Sequence, residues 1–76
     1  MVKKMNHKEM NIDYLWKKRN NDVQETKVNK FVEEYKKGAV FPLPIFNEGK
    51  TKMTDGNHRV AMMKKLGFKK MLVKVV

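Results

Sequence analysis

Twice in 76 residues a stretch with helical spacing of apolar side chains runs into a glycine and then into an apolar, β-prone run. A short chain that repeats this succession has little freedom: each helix delivers a strand, and both units must share one small core. In the first unit Val28, Phe31, Val32 and Tyr35 form one apolar stripe on a helix expected from about Val23 to Lys37, which Gly38 ends. Asp22 is its expected N-cap, with Glu25 three residues on completing a capping box. In the second unit a helix from His58 to Leu66 is capped by Asn57 and stopped by Gly67, with Ala61 small enough to let it press on a sheet.

The strands follow from what comes after each glycine. Phe41 to Phe46 is apolar but holds Pro42 and Pro44, so it fits an edge strand or the entry to one. Asn47-Glu48-Gly49-Lys50 is turn chemistry, and Thr51 to Thr54 completes a hairpin. Met71 to Val76 is a nearly continuous β-prone run, expected as a covered strand. Upstream, Ile12-Asp13-Tyr14-Leu15-Trp16 is long enough for a short strand or a single turn, and Lys17 to Asn21 reads as a polar connector. Residues 1–11 show no sustained period and read as a basic, flexible N-terminal arm, leaving residues 12–76 as the domain. The expected class is α+β: about four short strands in a mixed sheet with two helices, in β-α-β-β-α-β order.

Composition enters where chemistry must be narrowed. With no cysteine the chain has no disulfide, no Cys-ligated zinc and no thiol nucleophile. No run approaches the roughly 18 apolar residues of a membrane span, and Met1 to Met10 lacks the apolar stretch of a signal peptide, so the expectation is a cytoplasmic protein without membrane contact. The net charge of +10 favours a polyanionic or acidic partner, and the C-terminal half is the more one-sided, with eight basic and two acidic residues. Sixteen of the eighteen basic residues are Lys, however, which is ordinary chemistry for a solvated surface.

One segment departs from that background. At Asp55-Gly56-Asn57-His58-Arg59 a strand ends, a tight turn intervenes and a helix begins, so unpaired backbone N–H groups and the positive end of the helix dipole face outward. Gly56 permits the sharp turn, and Asn57 sits at the cap. Arg59, one of only two arginines, stands in the first helical turn, where a cation opposes the dipole unless an anion is present. His58 is a further donor or acid/base candidate, and Asp55 can orient Arg59, bind Mg²⁺ or shape the turn. The pattern is not a Walker loop, since GxxxxGK[ST] is absent. Asp13 and Asp22 serve as acceptor-activating bases only if the fold brings them near, and Tyr14 and Trp16 are candidates for stacking on a base that belong more simply to the core.

Asp55 to Arg59, followed by Val60-Ala61, Leu66-Gly67-Phe68 and the strand Met71 to Val76, resembles the ParB/sulfiredoxin-like domain, also called the ParB N-terminal or "ParB-like nuclease" domain. That family carries a DGxHR or GxxRxxA element, a Gly-terminated helix and a closing "vpVxV" strand. The resemblance extends more weakly back through Gly38 and Leu43 to Phe46, and its specific part is Asp55 to Gly67. It implies binding of a nucleoside triphosphate, ATP or CTP with Mg²⁺, through Gly56 and Arg59, with Asn57 and His58 in the same loop. The departures matter. Asn57 stands where sulfiredoxin has its reactive cysteine, so sulfinic-acid reduction is excluded, and Met62 stands where the pattern wants Ala. These 76 residues hold no helix-turn-helix DNA reader, so a complete partition protein is not expected.

Three functions are therefore open. The first is a small nucleotide-binding domain, with turnover undecided between binding and catalysis by Asp55 or His58. The second is a nucleic-acid module or weak nuclease, in which Lys64, Lys65, Lys69, Lys70 and Lys74 extend the phosphate-binding surface. The third is a non-catalytic phage or other mobile-element protein that binds an acidic host protein. A homodimer is compatible with each.

Overall fold

The computed structural model describes residues 6–76. The elements run β1 (Asn6–Asn11), α1 (Ile12–Lys17), α2 (Glu25–Lys36), β2 (Ile45–Asn47), β3 (Lys52–Asp55), α3 (Asn57–Lys65) and β4 (Lys70–Val75). The strands form one mixed sheet in the order β1-β4-β2-β3. β4 runs antiparallel to β1 and parallel to β2, while β2 and β3 make an antiparallel hairpin. The four-stranded mixed sheet matches the expected class, with three helices where two were expected.

Both differences lie at the start of the chain. Met1 to Met5 of the expected arm lie outside the described residues, but Asn6–Asn11 is not an arm: it is an edge strand paired along its length with β4. Its side chains are almost all exposed, so no apolar alternation marked it, and its ladder is made by the backbone alone. Ile12 to Lys17 is helical because Asn11 caps it, its Oδ1 accepting the Tyr14 N–H at 3.1 Å, and because Ile12 and Leu15 fall on one face and are fully buried. Burying two such side chains contributes about 1.5–3 kcal/mol each, enough to hold a helix too short to be stable alone.

α2 begins at Glu25, later than expected, and Asp22 is not its cap: Gln24 holds the cap position and makes no side-chain capping bond. Only Val28 of the expected stripe is buried; Phe31 and Val32 are partly covered and Tyr35 is exposed, because α2 packs on α3 rather than on the sheet. Both helix-to-glycine junctions close in the same way. The Ala39 N–H donates to the Glu34 carbonyl and the Phe68 N–H to the Met63 carbonyl, each spanning five residues as in a Schellman motif.

Pro42 and Pro44 precede β2, so they mark strand entry and leave β2 free to be central. Pro44 lacks a donor yet joins the ladder through its carbonyl, which accepts the Lys74 N–H at 2.9 Å. The core lies between the sheet and α1 and α3: Ile12, Leu15, Phe46, Met53, Val60, Met71, Val73 and Val75. Val60 is the α3 residue in that cluster, whereas Ala61 shares a groove with Val28 on the α2 side and does not set the approach of α3 to the sheet. Met71, Val73 and Val75 point inward; Lys70, Leu72 and Lys74 alternate onto the opposite face. No helix among the described residues is long and apolar enough to cross a membrane.

Candidate functional site

The turn from β3 into α3 is built by the protein's own contacts. Gly56 is the N-cap of α3, with φ +97°, in place of the expected Asn57. Its carbonyl accepts the N–H groups of Arg59 and Val60 at 3.0 and 3.1 Å, and its own N–H donates to Asp55 Oδ1 at 2.8 Å. The N–H groups of Asn57 and His58, the first two of the helix, are by position without an intrahelical acceptor. Glycine is required here for a second reason besides φ. A Cβ at position 56 would lie 2.7 Å from Pro44 Cα and 2.8 Å from Pro44 Cβ, so the turn rests directly on the entry to β2.

Arg59 is held from two sides. Its Nη1 donates to the Leu43 carbonyl at 3.3 Å, and its Nη2 lies 3.9 Å from Asp55 Oδ2. Asp55 thus shapes the turn through one oxygen and faces Arg59 with the other. Asn57 is 8% exposed; its Nδ2 donates to Asn20 Oδ1, and Asn20 Nδ2 donates to the Thr54 carbonyl at 3.2 Å. This ties the 20–22 loop to the turn.

His58 has a role that its sequence position did not suggest. Its Nε2 accepts the Gln24 N–H at 3.2 Å, satisfying a backbone donor at the entry to α2. That bond requires a neutral ring carrying its proton on Nδ1. Burial, and secondarily the charge of Lys27, hold the His58 pKa below its ordinary value, consistent with that state. In this arrangement Nε2 is not a donor for phosphate, nor a free lone pair for base work.

Between the turn and α2 lies a cavity of about 230 Å³, walled by Asp55 to Arg59 on one side and by Asn20, Asn21, Asp22, Lys27 and Phe31 on the other. Arg59 and Lys27 bring positive charge, and Asp22 and Asp55 bring negative charge. Phe31 is the aromatic ring on this wall, 6.1 Å from the His58 ring and 5.1 Å from that of Phe41. Asn20, Lys27 and Phe31 were not read from the sequence as site residues. Asn20 looked like connector, and Lys27 and Phe31 looked like the solvent and core faces of one helix.

Other expected residues are elsewhere. Asp13 is ion-paired to Lys64 at 2.7 Å, and the hydrogen bond and charge of Lys64 lower its pKa; it does not line the cavity, whereas Asp22 does. Trp16 lies under the Arg19 guanidinium at 4.2 Å, and Tyr14 is tilted against Phe46 at 6.0 Å, both away from the cavity. Of the five C-terminal lysines, Lys69 is exposed in the turn before β4 and the other four divide between two surfaces. Lys64 pairs with Asp13 and Lys65 with Glu25 at 3.4 Å on the helical side, whereas Lys70 and Lys74 project from the far face of the sheet. A second concavity of about 360 Å³ shares Arg59 with the first but is lined mainly by apolar groups, Val40, Phe41, Leu43, Met63 and Leu72 among them. Among the described residues no three His, Cys, Asp or Glu side chains cluster as a metal site.

No family model matches the chain, and no curated protein does. Solved structures do. A pNOB8-like ParB N-domain superposes with a TM-score of 0.65 at 23% identity, over 99% of this chain and 31% of that one. A second structure of a pNOB8-like ParB N-domain gives 0.57 at 21% identity, over 99% and 29%. The chain therefore spans about a third of the length of the chains it resembles. The fold is that of a ParB N-domain.

Proposed function

On this ParB-N-like fold, we propose that the chain binds a nucleoside triphosphate, ATP or CTP accompanied by Mg²⁺, with a phosphate seated at the N-terminus of α3. The observation that carries the reading is the cavity at Gly56, where two helix-terminal N–H groups without intrahelical acceptors meet Arg59, already oriented by Asp55 and the Leu43 carbonyl. Orientation before binding lowers the entropy lost when the guanidinium engages an anion.

The volume and charge of the cavity refine this. At about 230 Å³ it is smaller than the roughly 300–1,000 Å³ of sites that enclose whole drug-sized ligands, so it takes phosphate and sugar, with the base against Phe31. Two cations opposed by two carboxylates suit a metal-chelated phosphate better than a bare polyanion. Asp55 is committed to the Gly56 N–H, whereas Asp22 is fully exposed and, among the described residues, has only Arg19 Nη2 near it, at 3.9 Å, so Asp22 is the carboxylate that would join Mg²⁺ beside the phosphate oxygens. The metal would neutralise phosphate charge there. The split of Lys64 and Lys65 from Lys70 and Lys74 favours this compact ligand over a nucleic acid tracked along one basic surface.

Isothermal calorimetry with ATP, CTP and tripolyphosphate, with and without Mg²⁺, tests the proposal. Arg59→Ala is expected to weaken binding about tenfold to a hundredfold, the scale of a charge-assisted hydrogen bond. Absence of binding at millimolar ligand, or an Arg59→Ala variant that binds like the parent, refutes it.

A further inference from the structure

β4 is paired along all of its length with β1, but with β2 only at Lys74 and Val75. Alternation along the strand turns the N–H and C=O groups of Lys70, Leu72 and Lys74 toward the β2 side, as the bond from the Lys74 N–H to the Pro44 carbonyl shows. Continuing that parallel ladder by one step would require Pro44 to donate to the Leu72 carbonyl, and proline has no N–H. The chain before β2 diverges instead, and among the described residues neither the N–H nor the C=O of Leu72 has a backbone partner. The gap is the concavity of about 360 Å³, lined by Val40, Phe41 and Leu43 of the diverging segment, Met71 and Leu72 of β4 and Met63 of α3. Val40 is 94% exposed and Leu72 46%, so apolar surface and an unpaired stretch of strand lie side by side.

We propose, independently of the nucleotide reading, that this gap docks an extended segment of a partner protein, apolar at its centre and acidic at its ends, which adds a short strand beside β4. An extended segment can donate to the Leu72 carbonyl and accept from its N–H at once, and its alternating side chains fall in turn on the Met63 side and beside Leu72. Charge selects the partner. Arg59 is the charged residue among the described residues that line the gap. Lys69, Lys70 and Lys74 stand within two or three residues of Leu72 on the chain, with Glu9 opposite it on β1 as the opposing carboxylate. At the Tyr35 end, Glu33 and Glu34 are balanced by Lys36 and Lys37. The setting is therefore basic overall, and it draws an acidic-ended segment. A second copy of this chain, at net +10, is repelled from it.

The test uses the intact chain and short, terminally blocked peptides: a centre of Val, Ile and Leu with Asp and Glu at both ends, the same centre with Lys ends, and the acidic peptide N-methylated at its central amides. In calorimetry the acidic peptide is expected to bind about tenfold or more tightly than either of the others. By NMR-detected amide exchange, Leu72 is expected to exchange faster in the free chain than its β1-paired neighbours Met71 and Val73, and to slow about tenfold or more when the acidic peptide is bound. Val40→Asp, at a position too exposed for the change to disturb folding, is expected to weaken the acidic peptide about tenfold. No binding at millimolar peptide, equal binding of the N-methylated or Lys-ended peptide, unchanged Leu72 exchange on binding, or a Val40→Asp chain that binds like the parent overturns the proposal. Leu72 protection that arises in the chain alone and grows with its concentration places a second copy in the gap and overturns it as well. The peptide comparisons need no variant.

Discussion

Replacing Gly56 by Ala separates what the turn needs from what a ligand needs. Gly38, Gly56 and Gly67 have nearly the same backbone, with φ of +93°, +97° and +90°. An L side chain in that region costs about 1–2 kcal/mol, offset by roughly 0.4–1 kcal/mol of lost unfolded-state freedom. At Gly38 and Gly67 an added Cβ meets nothing within 4 Å, so Gly38→Ala and Gly67→Ala are expected to cost about 1 kcal/mol or less. At Gly56 the same atom lies 2.7 Å from Pro44 Cα and 3.3 Å from Arg59 Nη1, and the first of these is backbone that cannot swing aside. Overpacking of this kind adds about 1–3 kcal/mol, giving about 1–4 kcal/mol for Gly56→Ala. A chain of 76 residues is held by about 4–11 kcal/mol in total, so the variant is expected to lose a large share of its stability. Urea unfolding, with midpoints compared at constant m-value, reads the three variants side by side. If Gly56→Ala falls within about 0.5 kcal/mol of Gly67→Ala, the Pro44 contact is not what demands glycine and the reasoning fails.

Three further outcomes are expected. His58 has its pKa below 6.5 when folded, so as pH falls the unfolded chain takes up the proton first; stability should drop below about pH 6.5 and level off once the folded ring protonates. His58→Gln should flatten that dependence in urea midpoints between about pH 7 and about pH 5, and a variant that tracks the parent refutes the assignment. Phe31→Leu keeps an apolar side chain on α2 but removes the ring, so ATP and CTP should weaken by about 1 kcal/mol or more while tripolyphosphate is unaffected in calorimetry; equal losses would exclude stacking. Asn11→Ala should cost about 1 kcal/mol of unfolding free energy by uncapping α1, and Asn11→Asp should restore most of it, since either carbonyl or carboxylate oxygen can accept the Tyr14 N–H.

What could be read from the sequence follows from how local the determinants are. α3 and β4 were legible because Gly67 and the run Met71 to Val75 carry their own signals, and the turn at Asp55 to Arg59 was legible because its residues are contiguous. β1 was not, because an edge strand with exposed side chains has no apolar alternation to display. α1 was ambiguous because two buried residues in six do not establish a period. At the site, the sequence could not show that Asn20 meets Asn57, or that Phe31 and Lys27 stand across from Arg59, since those meetings depend on how α2 packs on α3. His58 shows the same limit: beside Arg59 it looked like a ligand donor, but the backbone N–H it serves comes from Gln24.

The position of β4 bears on how the chain reaches this state. Met71 to Val75 lies between β1 and β2, and Asn6 pairs with Val75. The earliest and latest described segments must therefore meet before the sheet is continuous, which places the largest loop-closure entropy ahead of the pairing that offsets it. Until β4 docks, the β2–β3 hairpin and β1 have no common partner, and the inner apolar row that later covers Ile12 and Leu15 is missing. Folding is accordingly expected to be slow for a chain this small, on a millisecond-to-second scale, with its rate governed by capture of the last strand.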